Sequence, residues 1–554
     1  MTNYKLQITY PILWAGVWLV GALIRLYNLG AAPLSPVEVN EALAALTGTA
    51  GAASSGLLVG ANRLLFWLLG ASDALARLLP ALAGSLLPLT AWLFSRHLGR
   101  RGALAAAGLF AISPSLVFFS RTASGTILSA TAALALLGAL LRAQESGDRR
   151  WLLAAGGALG MGFASGDGFF SLTLVMALAT LITRSAGIWR GLGGRRPLAL
   201  ALAVMLLGST TFFFFPAGLG VTADGLAQWL AGFELRWAVV FRPFSILLIY
   251  EMLALLFGLL GLVWAFWRGN NTVKTLACWT LLGLGLGLLR PSQPDAPLLT
   301  LIPLALLAGA FLSSVLTNMQ KPPVGATAAA LTVLGAHIFI SLGQYARHAA
   351  SNPERAGASL LVGGISTILV AGVVALIWTY SQRLARQSLM VALVVIFSIY
   401  SWGKAWELGH THQADPRELW VEEATAPGAR ILVETLKITS ERSTRSPYTL
   451  PLTVQSDDPI LRWYLRDFAD VTWVDALQPA VISEAVVTPV EEQNPLLGDS
   501  YLGMDLALRV EEPAGTDVPS LGQVLRWLLL RDAPVPVASE RIVVWIRQDV
   551  ALVQ

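Results

Sequence analysis

Long apolar runs separated by short polar loops occupy the first three quarters of the chain. A helix needs roughly 20 apolar residues to cross a bilayer, and most of the runs approach that length. The pattern therefore predicts about thirteen transmembrane helices, with a re-entrant hairpin as an alternative for the pair that meets near residue 167. Their approximate ranges are 8–27, 73–94, 102–119, 125–141, 151–166, 168–183, 198–217, 243–267, 275–289, 297–317, 324–343, 358–380 and 387–406.

The pattern changes after residue 406, where the apolar runs become shorter and begin to alternate with polar residues. Period-two alternation is typical of strands, and a 3.6-residue period is typical of helices. Strands are predicted at 448–455, 471–475, 480–487, 501–510 and 541–547, and helices at 458–468 and 521–532. We therefore divide the chain into a transmembrane domain, residues 1–406, and a C-terminal α/β domain, residues 407–554.

Composition supports the membrane assignment, because 55% of the 554 residues are hydrophobic and 13% are charged. Soluble domains carry about 25% charged residues, so membrane lipids must surround much of this surface. Residues 1–406 hold 26 Lys and Arg against 11 Asp and Glu, whereas residues 407–554 hold 12 against 23. The net charge of +4 thus hides a basic membrane part and an acidic tail, and it indicates no nucleic acid partner.

Orientation follows from the Lys and Arg residues, which accumulate in cytoplasmic loops. Together with Lys5, six short loops hold 16 of the 26 basic residues of the membrane part. We therefore expect a multi-pass protein of the cell membrane with a cytoplasmic N-terminus, a retained signal-anchor as its first span and an extracytoplasmic C-terminal domain. The six loops are 96–101, 142–150, 184–196, 268–274, 318–323 and 381–387.

The first predicted external loop reads PLSPVEVNEALAAL, residues 33–46. Ser35, Pro36 and Glu38 fit the N-cap, the first and the third position of a helix. Glu38 then caps its own helix, or it also faces a cavity between the spans and acts as general base toward an acceptor hydroxyl. Glu41 follows one turn later, as a solvated charge or a second cavity residue.

Three arginines at the predicted outer face could hold a phosphate, because the planar guanidinium binds phosphate oxygens in pairs. Arg121 ends the apolar run of the third span, where an alternative is that it reaches toward lipid headgroups. Arg242 and Arg290 lie at the outer ends of later spans, with Arg236 beside the first of them.

Two acidic residues and two histidines complete the candidates. Asp167 lies in a glycine-flanked outer turn, where forming the turn is the simpler role. Glu251 lies about two turns inside the eighth span, and a carboxylate at that depth usually faces a partner or a cavity. His410 and His412 follow the last span, but a His-x-His pair is weak evidence for a metal without a third ligand nearby.

Several stretches together resemble the GT-C superfamily of membrane glycosyltransferases, which includes protein O-mannosyltransferases, aminoarabinose transferases of lipid A and oligosaccharyltransferase catalytic subunits. The stretch RLYNLGAAPLSPVEVNEAL (25–43) is similar to the family's first-span exit and first external loop. Residues 77–121, ending FFSR, are similar to its second and third spans. The tail segments 462–475 and 526–549 are similar to a prokaryotic subgroup described as flippase-activity-associated.

The resemblance implies a polyprenyl-phosphate-linked sugar donor and transfer at the outer face to an acceptor, protein or glycan, that the sequence does not identify. It implies Glu38 as base, Arg121 with Arg242 or Arg290 at the donor phosphate, and Asp167 or Glu251 in a supporting role. It assigns no metal ligand and no cofactor, and leaves a divalent metal open. The family's acidic pair falls on Val37 and Glu38, and its second-loop Arg-Asn-Asp falls on 124–126, which read Ser-Gly-Thr.

Three functions follow from these residues. The first is a glycosyltransferase that uses a polyprenyl-linked donor. The second is a catalytically degenerate relative that binds lipid-linked glycan or scaffolds envelope assembly, which the losses at Val37 and Thr126 favour. The third is a transporter or flippase, which the gathering of acidic residues at one face disfavours, because such proteins bind their substrates near the bilayer midplane.

Overall fold

The structure is a computed structural model of the chain. It describes residues 2–49, 53–233, 242–317, 319, 321–349, 351–478, 481–492, 495–511, 521–530 and 537–551. Arg236, predicted at the outer face, lies outside the described residues.

Helices form most of the described chain up to residue 406. Their bounds are α1 Thr2–Leu26, α2 Pro36–Thr47, α3 Gly56–Leu69, α4 Asp73–Ala76, α5 Leu78–Thr90, α6 Ser95–Ile112, α7 Pro114–Ser120, α8 Thr126–Ser146, α9 Arg149–Ser165, α10 Gly168–Ile182, α11 Arg195–Ser209, α12 Ala217–Ala231, α13 Arg242–Tyr250, α14 Met252–Arg268, α15 Asn271–Leu289, α16 Ala296–Val315, α17 Lys321–His348, α18 Pro353–Tyr380 and α19 Gln382–Trp406. Short 3₁₀ turns cover Ala91–Phe94 and Ala186–Trp189, and a π turn covers Glu407–Thr411.

The protein is a helical membrane protein. Seven of the described helical stretches are long and apolar enough to cross a membrane, or eight if the bent pair α13 and α14 is one span. Each of the thirteen predicted ranges carries helix, but several of these helices are shorter than a bilayer requires. The number of thirteen crossings therefore stays a prediction.

Two of the predicted spans are wrong in detail. The range 243–267 is two helices, α13 and α14, which meet at an angle of 106°. The range 198–217 ends as α11 at Ser209, and Thr211 then has a left-handed φ of 49°. The first break falls at Glu251, which is the single charged residue between positions 243 and 267.

The helix α16 lies at the centre of the bundle, with nearly every side chain buried. Glycines on its neighbours let the backbones approach closely, as is common in membrane helices. A Cβ added at Gly261 of α14 would lie 2.6 Å from the carbonyl oxygen of Leu307, and one at Gly283 of α15 would lie 2.4 Å from that of Leu299. Larger residues at these glycines would push the helices apart.

The bundle has two distinct ends, which α8 separates by about 30 Å at 1.5 Å per residue. At its C-terminal end, Glu145 pairs with Arg96 and with His97, and Asn270 donates to the His97 carbonyl. Three loops predicted as cytoplasmic therefore meet there. The loops predicted as external gather at the other end, although which end faces the cytoplasm remains a prediction from the Lys and Arg distribution.

The tail carries a six-stranded sheet among its described residues, in the order β1-β5-β6-β4-β2-β3. Strand β2 pairs in parallel with β3 and β4, and the other pairs are antiparallel. The strands are β1 Glu423–Thr425, β2 Leu452–Val454, β3 Val471–Trp473, β4 Ala485–Pro489, β5 Tyr501–Glu511 and β6 Val537–Arg547, and the helices are α20 Gly428–Thr444, α21 Pro459–Tyr464, α22 Leu521–Leu530 and α23 Gln548–Ala551. The sequence did not predict β1 and α20.

The tail is docked through Asp73 on the end of the bundle that carries the first loop. This carboxylate accepts hydrogen bonds from Arg430 at 2.6 Å, from the Trp463 indole at 2.9 Å and from the Tyr464 hydroxyl at 3.2 Å. The Tyr464 hydroxyl in turn accepts from the backbone N–H of Leu34, at the start of the first loop. The tail helices α20 and α21 therefore contact the part of the bundle that carries the first loop.

Candidate functional site

The helix α2 begins as the sequence predicts. Ser35 caps it, and Pro36 occupies its first turn. The Ser35 backbone N–H donates to Glu38 Oε2 at 2.9 Å, and the Glu38 N–H donates to Ser35 Oγ at 3.4 Å. The predicted capping box is therefore confirmed.

Glu38 is also one half of a buried ion pair, with 3% of its side chain exposed. Arg77 donates to both carboxylate oxygens at 2.7 Å, and the Ala123 N–H donates to Oε1 at 2.7 Å. The remaining Arg77 donors reach the carbonyls of three first-loop residues. Glu38 therefore receives four hydrogen bonds, and together with Arg77 it fixes the first loop against α5 and α8.

A cavity of about 270 Å³ opens where α2 begins. Its wall includes the first-loop residues 35–38, the α7–α8 connection, the start of α13, the loop before α16 and tail residues 420–423. Small-molecule sites usually enclose about 300–1,000 Å³, so this cavity volume lies slightly below the usual range. Val37, where the resemblance expects an aspartate, is 64% exposed and lines the cavity.

The tail brings a carboxylate to the same cavity, and the sequence did not single it out. Glu422 lines the wall with 67% of its side chain exposed, and it forms an ion pair with Arg242. Arg242 also donates to the Leu419 carbonyl at 2.8 Å. Trp420 packs beside this pair against Phe118 and Phe119. Among the described residues of the cavity wall, Arg242 is the cation, and it lies next to an accessible carboxylate.

Arg121 occupies a different environment. It is fully buried, and its guanidinium donates to the backbone carbonyls of Gly409 at 2.6 Å, Arg25 at 3.0 Å, Tyr27 at 2.6 Å and Asn28 at 3.0 Å. Burial lowers the pKa of Arg121 to about 10. Four of its five N–H donors connect the residues that end α1 to the turn that follows α19. In the structure, Arg121 therefore binds backbone carbonyls and holds these two segments together.

Arg290 and Asp167 come together in a second buried cluster. The Arg290 guanidinium lies 3.2 Å from Asp167 and 3.2 Å from Asp295, and the Trp229 ring lies within 5.7 Å of it. Neither Arg290 nor Asp167 lines the cavity, but residues 291–294 directly after Arg290 do. The cluster therefore supports one wall of the cavity from behind.

Glu251 lies at the break between α13 and α14. Its carboxylate accepts from Ser113 Oγ at 2.7 Å and from the Ser115 N–H at 2.9 Å. Both donors belong to the first turn of α7, whose free N–H groups favour a negative charge. The expectation of a partner for this carboxylate is confirmed, and the partner is the end of a helix.

Glu41 belongs to α2, and its side chain is buried rather than solvated. Its Oε1 accepts from the Ser54 N–H at 2.7 Å and from Ser54 Oγ at 2.5 Å, while Oε2 has no partner among the described residues. Burial raises the pKa of Glu41 to about 7. The ionised form is therefore destabilised in the folded protein.

This shift predicts a pH-dependent stability. Because the folded-state pKa lies above the ordinary value of 4.5, the folded protein binds the extra proton, and stability falls as the pH rises from about 4.5 to about 7. The full effect is about 3 kcal/mol. The measurement is the unfolding temperature in detergent between pH 5 and pH 8. Over this range we expect it to fall less for Glu41→Gln than for the wild type. The exposed Glu441→Gln is the control, and an unchanged slope in Glu41→Gln would assign the dependence to another group.

The fold and this cavity define a polytopic helical membrane protein, and its first loop and FFSR stretch resemble those of the GT-C superfamily. The family model for dolichyl-phosphate-mannose-protein mannosyltransferase matches residues 61–214, which include the segment from α3 to the end of α11. A comparison with curated protein sequences gave no match.

Solved structures resemble the whole chain. ArnT from Cupriavidus metallidurans bound to undecaprenyl phosphate is 18% identical, with 99% of each chain covered and a TM-score of 0.58. Its apo state is 17% identical, with the same coverage and a TM-score of 0.57. The Archaeoglobus fulgidus oligosaccharyltransferase is 11% identical, covering 87% of this chain and 69% of its own, with a TM-score of 0.45. The overall fold of the chain is therefore similar to that of ArnT.

Proposed function

We propose that the protein is a glycosyltransferase that transfers a sugar from a polyprenyl-phosphate-linked donor to an acceptor at the outer face of the membrane. The observation that carries the proposal is the cavity in which the first-loop helix, Arg242 and Glu422 converge. The full-length similarity to a structure of ArnT that holds undecaprenyl phosphate supports it.

Arg242 is the residue we assign to the donor phosphate. Its guanidinium can bind two phosphate oxygens at once, and it is the arginine on the cavity wall. The buried partners of Arg121 and Arg290 make these two residues supports of the site rather than its phosphate ligands. Before the donor binds, the Glu422 carboxylate pairs with the Arg242 guanidinium. The donor phosphate would displace this carboxylate and bind Arg242 in its place.

The general base is assigned to Glu422 in preference to Glu38. A base must accept a proton from the acceptor hydroxyl, and it needs an oxygen that the acceptor can reach. Glu38 has both oxygens engaged by four donors and is buried, whereas Glu422 is largely exposed at the cavity. Displacement of Glu422 from Arg242 by the donor would also remove the cation that stabilises its negative charge, and would so make it a better base.

The reaction we propose is a single displacement at the anomeric carbon. The acceptor oxygen forms a bond to this carbon while its proton passes to Glu422. The bond from the anomeric carbon to the phosphate oxygen breaks, and the electron pair leaves with the polyprenyl phosphate. Arg242 stabilises the charge that develops on the leaving phosphate. Asp167 and Glu251 would act at a distance, through Arg290 and α7.

The test uses the full-length protein in liposomes with radiolabelled undecaprenyl-phosphate sugars, offered one at a time with envelope lipid, glycan and protein fractions. We expect labelled acceptor and free undecaprenyl phosphate to form together. Arg242→Met should lower kcat/KM at least tenfold, because a phosphate contact is lost. The exposed Arg462→Met is the matched control. Equal rates for both variants would exclude Arg242 from the donor site.

A second function has a specific observation in its favour. Val37 lines the cavity in place of a carboxylate, and both carboxylate oxygens of Glu38 already accept hydrogen bonds. A binding-only protein would show the same features. Such a protein would bind undecaprenyl phosphate without releasing labelled product from any donor, whereas a transferase releases it from at least one.

A further inference from the structure

Three potential metal ligands meet where the chain leaves α19. His412 Nδ1 lies 3.4 Å from Glu407 Oε1 and 3.1 Å from Glu418 Oε1. All three ligand atoms lie within 4.8 Å of one another. This group, which we call the exit cluster, contains none of the residues that line the cavity.

A distortion of the backbone brings the first two ligands, Glu407 and His412, close together. Residues 407–411 form a π turn, and the His412 N–H donates to the Glu407 carbonyl at 2.8 Å. In a π turn the backbone N–H of a residue donates to the carbonyl five residues earlier, whereas in an α-helix it donates to the carbonyl four residues earlier. An α-helical continuation would have placed Thr411, a poor ligand, where His412 now lies. Such π turns are rare and are often found at functional sites.

The third ligand is positioned from a different part of the bundle. Glu418 is 1% exposed, and its Oε2 accepts a hydrogen bond from the Tyr250 hydroxyl at 2.6 Å. Tyr250 is the last residue of α13, at the break before α14. This second contact orients the carboxylate and directs Oε1 toward His412, in the way that outer partners orient metal ligands.

We propose that Glu407, His412 and Glu418 bind a divalent transition metal, with Zn²⁺ preferred. Ligands that bind Zn²⁺ at about 2.0–2.1 Å in a tetrahedron lie about 3.3 Å from one another, and the two measured ligand distances match this value. An imidazole beside two carboxylates suits Zn²⁺ better than Mg²⁺, which prefers oxygen ligands. His412 and Glu407 are each about one quarter exposed, so water can take the fourth position.

The proposed metal has a structural role that does not depend on the proposed function. It would connect the end of α19, the chain entering the tail and, through Tyr250, the broken span. The ligands are five and six residues apart in sequence, and the fold brings their side chains together. The metal therefore binds the native state preferentially. It therefore raises the unfolding temperature.

The test measures Zn²⁺ directly. Full-length protein, purified through a tag without histidines and stripped with a chelator, is incubated with Zn²⁺, desalted and analysed by mass spectrometry for zinc per chain. We expect about one equivalent in the wild type and less than about one fifth in His412→Gln. His410→Gln is the matched control, because the His410 ring contacts the Ile24 carbonyl rather than the cluster, and it should keep one equivalent.

Thermal unfolding separates a binding defect from a folding defect. Added Zn²⁺ should raise the unfolding temperature of the wild type and of His410→Gln, but not of His412→Gln. If His412→Gln does not fold, Glu407→Gln replaces it, because this carboxylate is more exposed than Glu418. A wild type that retains no zinc, or a His412→Gln variant that retains as much as the wild type, would overturn the proposal. The cluster would then be an ion pair between a protonated His412 and two carboxylates.

Discussion

Replacement of Glu422 by glutamine is expected to abolish most transfer activity, with a loss in kcat of about 10²–10⁴-fold. That range is the usual contribution of a positioned general base. Glutamine is nearly the same size and its amide oxygen can still accept from Arg242, so the fold and the ion-pair site should be preserved. It cannot accept the proton of an acceptor hydroxyl. The measurement is the initial rate of labelled product at saturating donor.

The control for this variant is Glu434→Gln, an exposed carboxylate on α20 of the tail, which should keep the wild-type rate. A second variant tests the location of the base. Val37 lines the same cavity at the start of α2, where an acidic side chain is also favoured by the helix dipole. Val37→Asp in the Glu422→Gln background should restore part of the rate. If Glu422→Gln alone keeps the wild-type rate, the base is another group, and Glu38 is the next candidate.

Replacement of Arg77 by methionine is expected to cause the largest loss of stability, about 3–5 kcal/mol. This is the usual cost of removing one partner of a buried ion pair, because the other charge stays buried without its counterion. Arg77 and Glu38 are 1% and 3% exposed, and three carbonyls of the first loop also depend on Arg77. The measurement is the unfolding temperature in detergent and the yield of monodisperse protein.

Two further variants test the physical cause of this loss. The double variant Arg77→Met with Glu38→Gln should recover part of the stability, since no unpaired charge then remains. Asp457→Asn breaks an exposed pair with Arg462 and should cost less than about 1 kcal/mol. A single Arg77→Met variant as stable as the wild type would show that Glu38 finds another counterion. It would also show that the first loop does not require the pair.

Local signals in the sequence were sufficient for several features. The helices follow the apolar runs, and the start of α2 follows from Ser35, Pro36 and Glu38, which are adjacent and need no distant partner. The five predicted tail strands each overlap an observed strand, because alternation is a local property. The short β1 was missed since three residues carry too little pattern.

The roles of charged side chains were harder to predict. Arg121 and Arg242 look alike in the sequence, each a basic residue at the outer end of an apolar run. In the folded chain one is surrounded by four carbonyls and the other lies beside an exposed carboxylate on the cavity. For Glu251 the sequence indicated that a partner or a cavity must exist, since a carboxylate within a span usually faces one. The sequence did not indicate that the partner is a helix end that accompanies a bend.

By itself, the sequence determined that this is a helical membrane protein, because hydrophobicity and capping act over short distances along the chain. Only the tertiary structure decided which polar groups meet. It pairs Glu38 with Arg77, brings Glu422 from the tail to the cavity and gathers Glu407, His412 and Glu418 at the exit of α19. The physical reason is that a buried polar group needs a partner within about 3 Å, and residues tens to hundreds of positions away supply many of these partners.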